Sequence, residues 1–236
     1  MIPIAPPGPT GIRPLHFTAL TVLLALLAAA YVAKMVGGWF AGTERLLTRT
    51  EEVAPVSLSI GRHAFAIPAN MLRRPDQRIP GLRHDLVYLE LIWPSLSGFT
   101  RDMAYAFGDT GAESRTIALE IAVARQAEGM SERLDTVYRR LARGGEAPGP
   151  AGLTMLDLAG EGEAGTDYVV FEAGRDGGFV ARCQVPRDAA APAFCSREVR
   201  LGRDLLLTYR FKRAALHNWG RLDRRILDLV HSLRAS

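Results

Sequence analysis

The chain has 236 residues, of which 48% are hydrophobic and 23% charged. That balance is ordinary for a folded protein and excludes a wholly disordered or collagen-like chain. Two cysteines are too few for a multi-disulfide scaffold, a cysteine-rich zinc module or an iron–sulfur cluster. The 29 basic and 25 acidic residues give a net charge of +4, but no basic stripe interleaved with aromatic residues occurs, so we expect no nucleic-acid partner.

The N-terminal part of the chain divides into a tail, an apolar run and a stalk. Residues 1–14 contain five prolines, too many for a helix. From residue 14 to residue 33 there is no Asp, Glu, Lys or Arg, and a helix needs about 20 apolar residues to cross the hydrocarbon core of a bilayer. Residues 15–36 are therefore predicted to form a transmembrane anchor, and residues 37–55 a stalk.

The apolar run favours an anchor that stays in the lipid bilayer. A cleaved signal peptide has a shorter apolar core of about 7–15 residues, although Ala28-Ala29-Ala30 resembles a cleavage site. A buried helix of a soluble protein would show a polar stripe, and this run has none. The residues expected to contact lipid or its interface are Leu15, Leu23, Leu27, Tyr31 and Trp39.

Residues 56–236 are long enough for one extramembrane domain with its own core. Strands that occur in runs, with helices between and after the runs, are typical of an α+β fold with a mainly antiparallel sheet. The predicted strand at residues 115–125 also has a composition compatible with a helix. By their apolar spacing and Gly-, Pro- and Asp-rich turns, the predicted strands are residues 56–60, 64–67, 86–93, 115–125, 153–158, 168–172, 179–185, 194–200 and 205–211.

Two helices are predicted in this domain. The internal helix begins at Ser131, a residue type that often caps helices, and its apolar residues recur three and four positions apart up to Leu141. Gly144-Gly145 ends it. The C-terminal helix has one apolar face, formed by Leu216, Trp219, Ile226, Leu229, Val230 and Leu233.

The two cysteines bear on which side of the membrane the domain lies. Cys183 and Cys195 fall on consecutive predicted strands, where facing residues can form a disulfide, although free cysteines also serve as small core residues. A disulfide would persist in the bacterial periplasm and not in the cytosol. Basic residues on either side of the anchor slightly favour a cytoplasmic domain. The indication from the cysteine pair is stronger than this small difference in basic residues, so we expect a periplasmic domain on the inner membrane.

Two groups of arginines are candidates for partner binding. A proline-containing loop carries the first group, and long loops often carry function. The outer side of the C-terminal helix carries the second, which would suit anionic lipid headgroups or an acidic protein. Ordinary solvated surface is the alternative for both. The candidates are Arg73, Arg74, Arg78 and Arg83 in the loop, and Arg221, Arg224 and Arg225 in the helix.

No motif in the sequence identifies an enzyme. Residues 160–165 match the dinucleotide pattern G-x-G-x-x-G, but a strand follows them where that motif requires a helix. No metal-binding pattern, cofactor motif or catalytic residue is predicted. One alternative is a membrane-tethered periplasmic hydrolase that would use His63 or His84-Asp85 with a serine. Another is a membrane module that faces the cytoplasm with free thiols.

The chain resembles uncharacterised proteobacterial envelope proteins that have one N-terminal span. The resemblance rests on Ile60-Gly61, on the segment 65–70, on the cysteine pair and on Tyr209-Arg210-Phe211, which leads to Leu216 and Trp219. It covers the extramembrane domain, whereas the tail, the stalk and the length of the anchor have no counterpart. Some of these proteins resemble immunity proteins against secreted toxins, which implies a protein-binding role.

The sequence therefore predicts a single-pass inner-membrane protein whose periplasmic domain binds another protein. That partner would belong to an envelope complex or would be a toxin that this domain inhibits. We expect no enzymatic activity.

Overall fold

The computed structural model describes residues 17–32, 49–125, 128–158, 166–188 and 191–235. The chain divides into two compact units, Met1–Leu47 and Thr48–Ser236.

In the first unit, residues 17–32 form helix α1. No helix among the described residues combines the length and the apolar character that crossing a membrane requires. The predicted proline-rich tail 1–14, Leu15, Trp39 and the stalk up to residue 48 lie outside the described residues, whereas Leu23, Leu27 and Tyr31 lie on α1.

The second unit contains two sheets. Each strand predicted from the sequence is present, and two short strands, β3 and β6, are additional. In chain order the strands are β1 (Pro55–Ile60), β2 (His63–Pro68), β3 (Arg83–His84), β4 (Leu86–Ile92), β5 (Thr116–Val123), β6 (Ala147–Pro148), β7 (Thr154–Asp157), β8 (Thr166–Phe171), β9 (Val180–Val185), β10 (Phe194–Leu201) and β11 (Leu205–Lys212).

The larger sheet has the order β4-β5-β11-β10-β9-β8-β7-β6 within the described residues, and all its neighbouring strands are antiparallel. The smaller sheet has the order β2-β1-β3, with β1 and β3 parallel. The α+β class with a mainly antiparallel sheet is thus confirmed. Within the predicted range 115–125, Thr116–Val123 form a strand, β5, in which Ile117, Leu119 and Ile121 enter the core.

The last described residues extend the smaller sheet. The Ala66 amide donates to the Leu233 carbonyl oxygen at 2.9 Å, and the Ala235 amide donates to the Ala64 carbonyl oxygen at 3.1 Å. Residues 233–235 therefore occupy the hydrogen-bonding edge of β2, the edge that β1 leaves open.

Short helices connect the strands. α2 (Ala104–Gly108) was not predicted, and α4 (Trp219–Ser232) is the expected C-terminal helix, preceded by a 3₁₀ segment, Arg213–Asn218. The predicted internal helix is only partly formed: Leu134–Tyr138 is a π-helical turn that runs into α3 (Arg139–Leu141).

Ser131 does not cap that internal helix. Its hydroxyl donates instead to the Gly178 carbonyl oxygen at 2.9 Å, a residue 47 positions away. The hydrogen bond holds residues 128–141 against the sheet. The predicted capping role of Ser131 is therefore wrong, because a tertiary contact uses the same hydroxyl group.

Alternate residues of the larger sheet enter two cores. On one face, β1, β2 and α4 cover side chains such as Leu119, Leu207 and Tyr209. On the other face, residues 128–141 cover Val169, Phe171 and neighbours in a smaller cluster. The outward residues of β5, such as Ala118 and Glu120, remain exposed.

A buried ion pair fastens α4 to the sheet. Arg197 on β10 is 4% exposed, and its Nε donates to Asp223 Oδ1 at 3.0 Å. The Tyr209 hydroxyl donates to the same oxygen at 2.7 Å. Burial and the Asp223 carboxylate raise the pKa of Tyr209 well above its usual value of 10.0.

The predicted disulfide is present. Cys183 on β9 and Cys195 on β10 are directly opposite each other and are bonded. The bond closes the hairpin loop that joins these two strands.

Candidate functional site

Two surface regions of the second unit are candidates for binding. The first is residues 73–84, here called the arginine loop, which the sequence analysis singled out. The second is a cleft that sequence reasoning missed.

A buried glutamine holds the arginine loop to β4. Gln77 is 3% exposed, and its Nε2 donates to the Leu86 carbonyl oxygen at 2.8 Å. The Tyr88 amide donates to Gln77 Oε1 at 3.0 Å. Both halves of the side-chain amide are therefore satisfied, and the loop is fixed at its middle.

The next part of the loop is a tight turn flanked by two solvent-exposed apolar side chains. Gly81 has φ +79° and follows Pro80, the arrangement of a type II turn. The Gly81 amide donates to the Ser57 carbonyl oxygen at 2.7 Å, which attaches the turn to β1. On either side of the turn, Ile79 is 53% exposed and Leu82 is 42% exposed.

Three residues of this loop depart from the usual burial pattern. The polar Gln77 lies inside and the apolar Ile79 and Leu82 lie outside, although polar residues are normally the exposed ones. A partner that covers these two side chains would cost little conformational freedom, because the loop is already held in place.

The four arginines of the loop have different surroundings. Arg78 donates to the Leu72 carbonyl oxygen at 2.8 Å, so it holds the loop internally. Arg74 forms a two-pronged ion pair with Asp76, and both side chains are exposed. Arg83 is exposed next to Leu82.

Arg73 belongs to a partly buried charge group. Its Nε lies 3.4 Å from Glu90 Oε2, and Arg49 Nη2 lies 2.6 Å from the same oxygen. Burial raises the pKa of Glu90, while Arg49 and Arg73 act in the opposite direction. Arg73 and Arg78 therefore support the loop, Arg74 is exposed but paired with Asp76, and Arg83 remains available at the surface.

The arginines of α4 are separate from the loop. Arg221 and Arg224 are exposed and Arg225 is half-buried on the outer side of this helix. Within the described residues none of the three forms an ion pair. The structure therefore gives them accessible charge but no shaped pocket.

The cleft has a volume of about 880 Å³, near the upper end of the range of ligand pockets. Its floor comes from Met155, Tyr168, Val185 and Leu216. Its rim carries three carboxylates, one arginine and one histidine, and small residues complete the walls. The charged lining residues are Glu113, Asp157, Asp188, Arg213 and His217, and the small ones are Ala112, Pro150, Pro186, Ala191, Ala193 and Ala214.

A side pocket of about 320 Å³ adjoins the cleft, because both are lined by Glu113, Ala214 and His217. Its walls include Trp93, Pro94, Ile117 and Phe211. The loop arginines line neither cavity.

Lys212 lies at the side pocket and is 5% exposed. Its Nζ donates to the Thr110 carbonyl oxygen at 2.9 Å and lies 4.0 Å from the centre of the Phe194 ring. Burial lowers the pKa of Lys212. The amine therefore fixes the turn before Glu113 in place.

The histidines that the hydrolase alternative named lie elsewhere. His63 Nε2 is 3.3 Å from Asp204 Oδ2, which also pairs with Arg62. His84 is half-buried on β3, beside β1. No group of His, Cys, Asp and Glu in the described part of the chain could hold a metal ion.

No protein-family model matches the chain, and no curated protein matches it in sequence. Two solved structures are similar. Smlt3025, an immunity protein of the Stenotrophomonas maltophilia type IV secretion system, has a TM-score of 0.55 and 18% identity, over 78% of this chain and 94% of that chain. The Neisseria meningitidis iron-regulated outer membrane lipoprotein FrpD has a TM-score of 0.49 and 12% identity, with the same coverage of both chains. The first likeness shows a shared fold.

Proposed function

We propose that this chain is a bacterial inner-membrane protein whose periplasmic domain binds another protein through the arginine loop. The bound protein is either a component of an envelope complex or a secreted toxin that the domain inhibits. The observation that carries the proposal is that Gln77 of the loop is buried while Ile79 and Leu82 are exposed.

The loop suits a partner of particular chemistry. Ile79 and Leu82 would enter an apolar pocket, and Arg83 would meet a carboxylate beside it. Because Gln77, Arg78 and Gly81 already hold the loop, little conformational freedom is lost when the partner binds.

Two further observations support the place and the role. The disulfide suits an oxidising compartment, such as the periplasm. An immunity protein is among the structures that share this fold, so the fold accommodates toxin inhibition elsewhere. For the anchor, the uncharged run over residues 15–36 remains the supporting observation.

Site-directed photo-cross-linking tests the binding surface. A photoreactive phenylalanine at position 79 of the full chain, expressed in the source bacterium, is expected to give one discrete adduct with a second protein. Position 141 is the control, because Leu141 is 48% exposed and lies on a different face. Adducts of equal yield at both positions, or none at position 79, would contradict the proposal.

Substitution then separates the two kinds of partner. Ile79→Glu with Leu82→Glu should abolish the adduct, and Leu141→Glu should leave it unchanged. If the captured protein is a toxin, directing it to the periplasm arrests growth, and the full chain relieves that arrest whereas the double variant does not. If it belongs to a complex, its expression is harmless and the double variant leaves it unassembled.

Location and orientation have their own tests. Alkaline carbonate should leave the full chain in the membrane fraction. Alkaline phosphatase fused after residue 47 should be active, since that enzyme requires the periplasm. Recovery of the chain in the soluble fraction would remove the anchor from the proposal, and an inactive fusion would place the domain in the cytoplasm.

A further inference from the structure

The cleft has the charge and shape of a second binding site. We propose that it binds an extended, positively charged polypeptide segment that also carries apolar residues. This inference goes beyond the proposed function, because no residue of the arginine loop lines the cleft or the side pocket. The loop contacts Leu86 and Tyr88 near the start of β4, whereas Trp93 and Pro94, which line the side pocket, follow its end.

The floor and the walls favour a polypeptide occupant. Met155, Tyr168 and Val185 provide an apolar base, and most of the wall residues are alanine or proline. Such short or rigid side chains lose little freedom when a ligand covers them. The side pocket, between Trp93 and Phe211, would receive one apolar side chain of the bound segment.

The rim determines the charge of that occupant. The net charge of the whole chain is +4, yet three carboxylates line the cleft against one arginine and one histidine. The other cationic groups, Arg115 and Lys212, line the side pocket. Glu113 and Asp157 are exposed there, and neither forms an ion pair within the described part of the chain. A segment with Arg or Lys side chains would pair with them, whereas an acidic segment would be repelled.

The Cys183–Cys195 disulfide stabilises one wall of the cleft. Residues Val185, Pro186 and Ala193 belong to the hairpin loop that the Cys183–Cys195 bond closes, and they form one wall of the cleft. This wall is therefore held in place before a segment binds, which lowers the entropic cost of binding.

Peptide binding to the full chain in a non-ionic detergent tests the inference. The probe is a fluorescein-labelled nonapeptide of alternating Arg and Leu, and the comparison probe has Glu in place of Arg. Fluorescence anisotropy should show saturable binding of the Arg peptide that weakens with added salt, and at least tenfold weaker binding of the Glu peptide. Equal binding of both peptides would overturn the inference.

Variants locate the binding. Glu113→Gln with Asp157→Asn should weaken the Arg peptide roughly five- to tenfold, and Ala214→Trp should weaken it further by filling the space shared by the two cavities. The matched control is Glu120→Gln with Asp228→Asn, two exposed carboxylates away from the cleft, which should bind normally. If control and cleft variants lose affinity equally, the cleft is not the site.

Two further measurements keep the outcomes distinct. The thermal unfolding temperature of each variant shows whether it is folded. Ile79→Glu with Leu82→Glu should leave peptide binding unchanged. A chain that binds the Arg peptide but gives no adduct at position 79 supports the cleft inference and contradicts the proposed function, and the reverse result does the opposite.

Discussion

The arginine loop and the cleft expose opposite chemistry. The loop projects two aliphatic side chains and two exposed arginines, Arg83 and the Asp76-paired Arg74. The cleft is concave, and carboxylates predominate at its rim. The loop is built from twelve consecutive residues, whereas the cleft is assembled from segments up to 105 residues apart, from Ala112 to His217. One domain can therefore offer a local and a composite surface that different partners, or two parts of one partner, would recognise.

The largest expected effect would remove the scaffold that both regions share. Asp223→Ala leaves the buried Arg197 without its carboxylate and should lower the free energy of unfolding by about 3–5 kcal/mol. Chemical denaturation measures it. Asp228→Ala, on the exposed side of the same helix, is the control and should change stability by less than about 0.5 kcal/mol. Similar losses in both variants would show that the ion pair does not fasten α4.

Loss of the disulfide should affect binding in the cleft more than binding at the arginine loop. Replacing Cys183 and Cys195 by alanine should cost about 3 kcal/mol of unfolding free energy, as expected for a bond that closes a short loop. At a temperature where the variant is folded, binding of the Arg peptide in the cleft should weaken, and the photo-adduct at position 79 should persist. Equal loss at both sites would mean that the bond acts on the whole domain.

Loosening the arginine loop should affect the loop and not the cleft. Gln77→Ala leaves the Leu86 carbonyl and the Tyr88 amide without their partner and should lower the unfolding free energy by about 2 kcal/mol. Hydrogen exchange should become faster in residues 73–84. Gln184→Ala, at an exposed position of β9, is the control. Unchanged exchange in the loop would contradict the anchoring role of Gln77.

The smallest effect concerns Tyr209. Its raised pKa gives stability that is present below the usual value of 10.0 and is lost as pH rises further, because the unfolded chain then releases a proton that the folded one retains. Tyr209→Phe should cost about 1 kcal/mol at pH 7 through the lost hydrogen bond to Asp223. The difference from the natural chain should narrow between about pH 10 and pH 11. A constant difference across that range would contradict the shift.

Local patterns predicted most of the fold. The alternation in residues 56–60 and the apolar face of residues 219–233 each depend on burial on one side, which the sequence records directly. The cysteine pair was predictable because both residues are on adjacent strands. The anchor and the orientation of the domain remain predictions.

The candidate surfaces were harder to predict for a physical reason. Sequence reasoning selected the arginine loop for its charge, yet Arg73 and Arg78 support the loop and the unusual feature is the exposure of Ile79 and Leu82. A buried Gln77 leaves no local signal, because its partners are on β4. The cleft has none either, since its lining comes from segments far apart in the sequence, around Glu113, Met155, Pro186 and Ala214.

The pairing of residues 233–235 with β2 has a consequence for self-association. An open strand edge is a template on which a second molecule can add its own strand, and repeated addition leads to aggregates. The terminal backbone fills that position from within the same molecule. Without these residues the Ala64 carbonyl and the Ala66 amide would be open to a strand of another molecule, so this pairing opposes self-association.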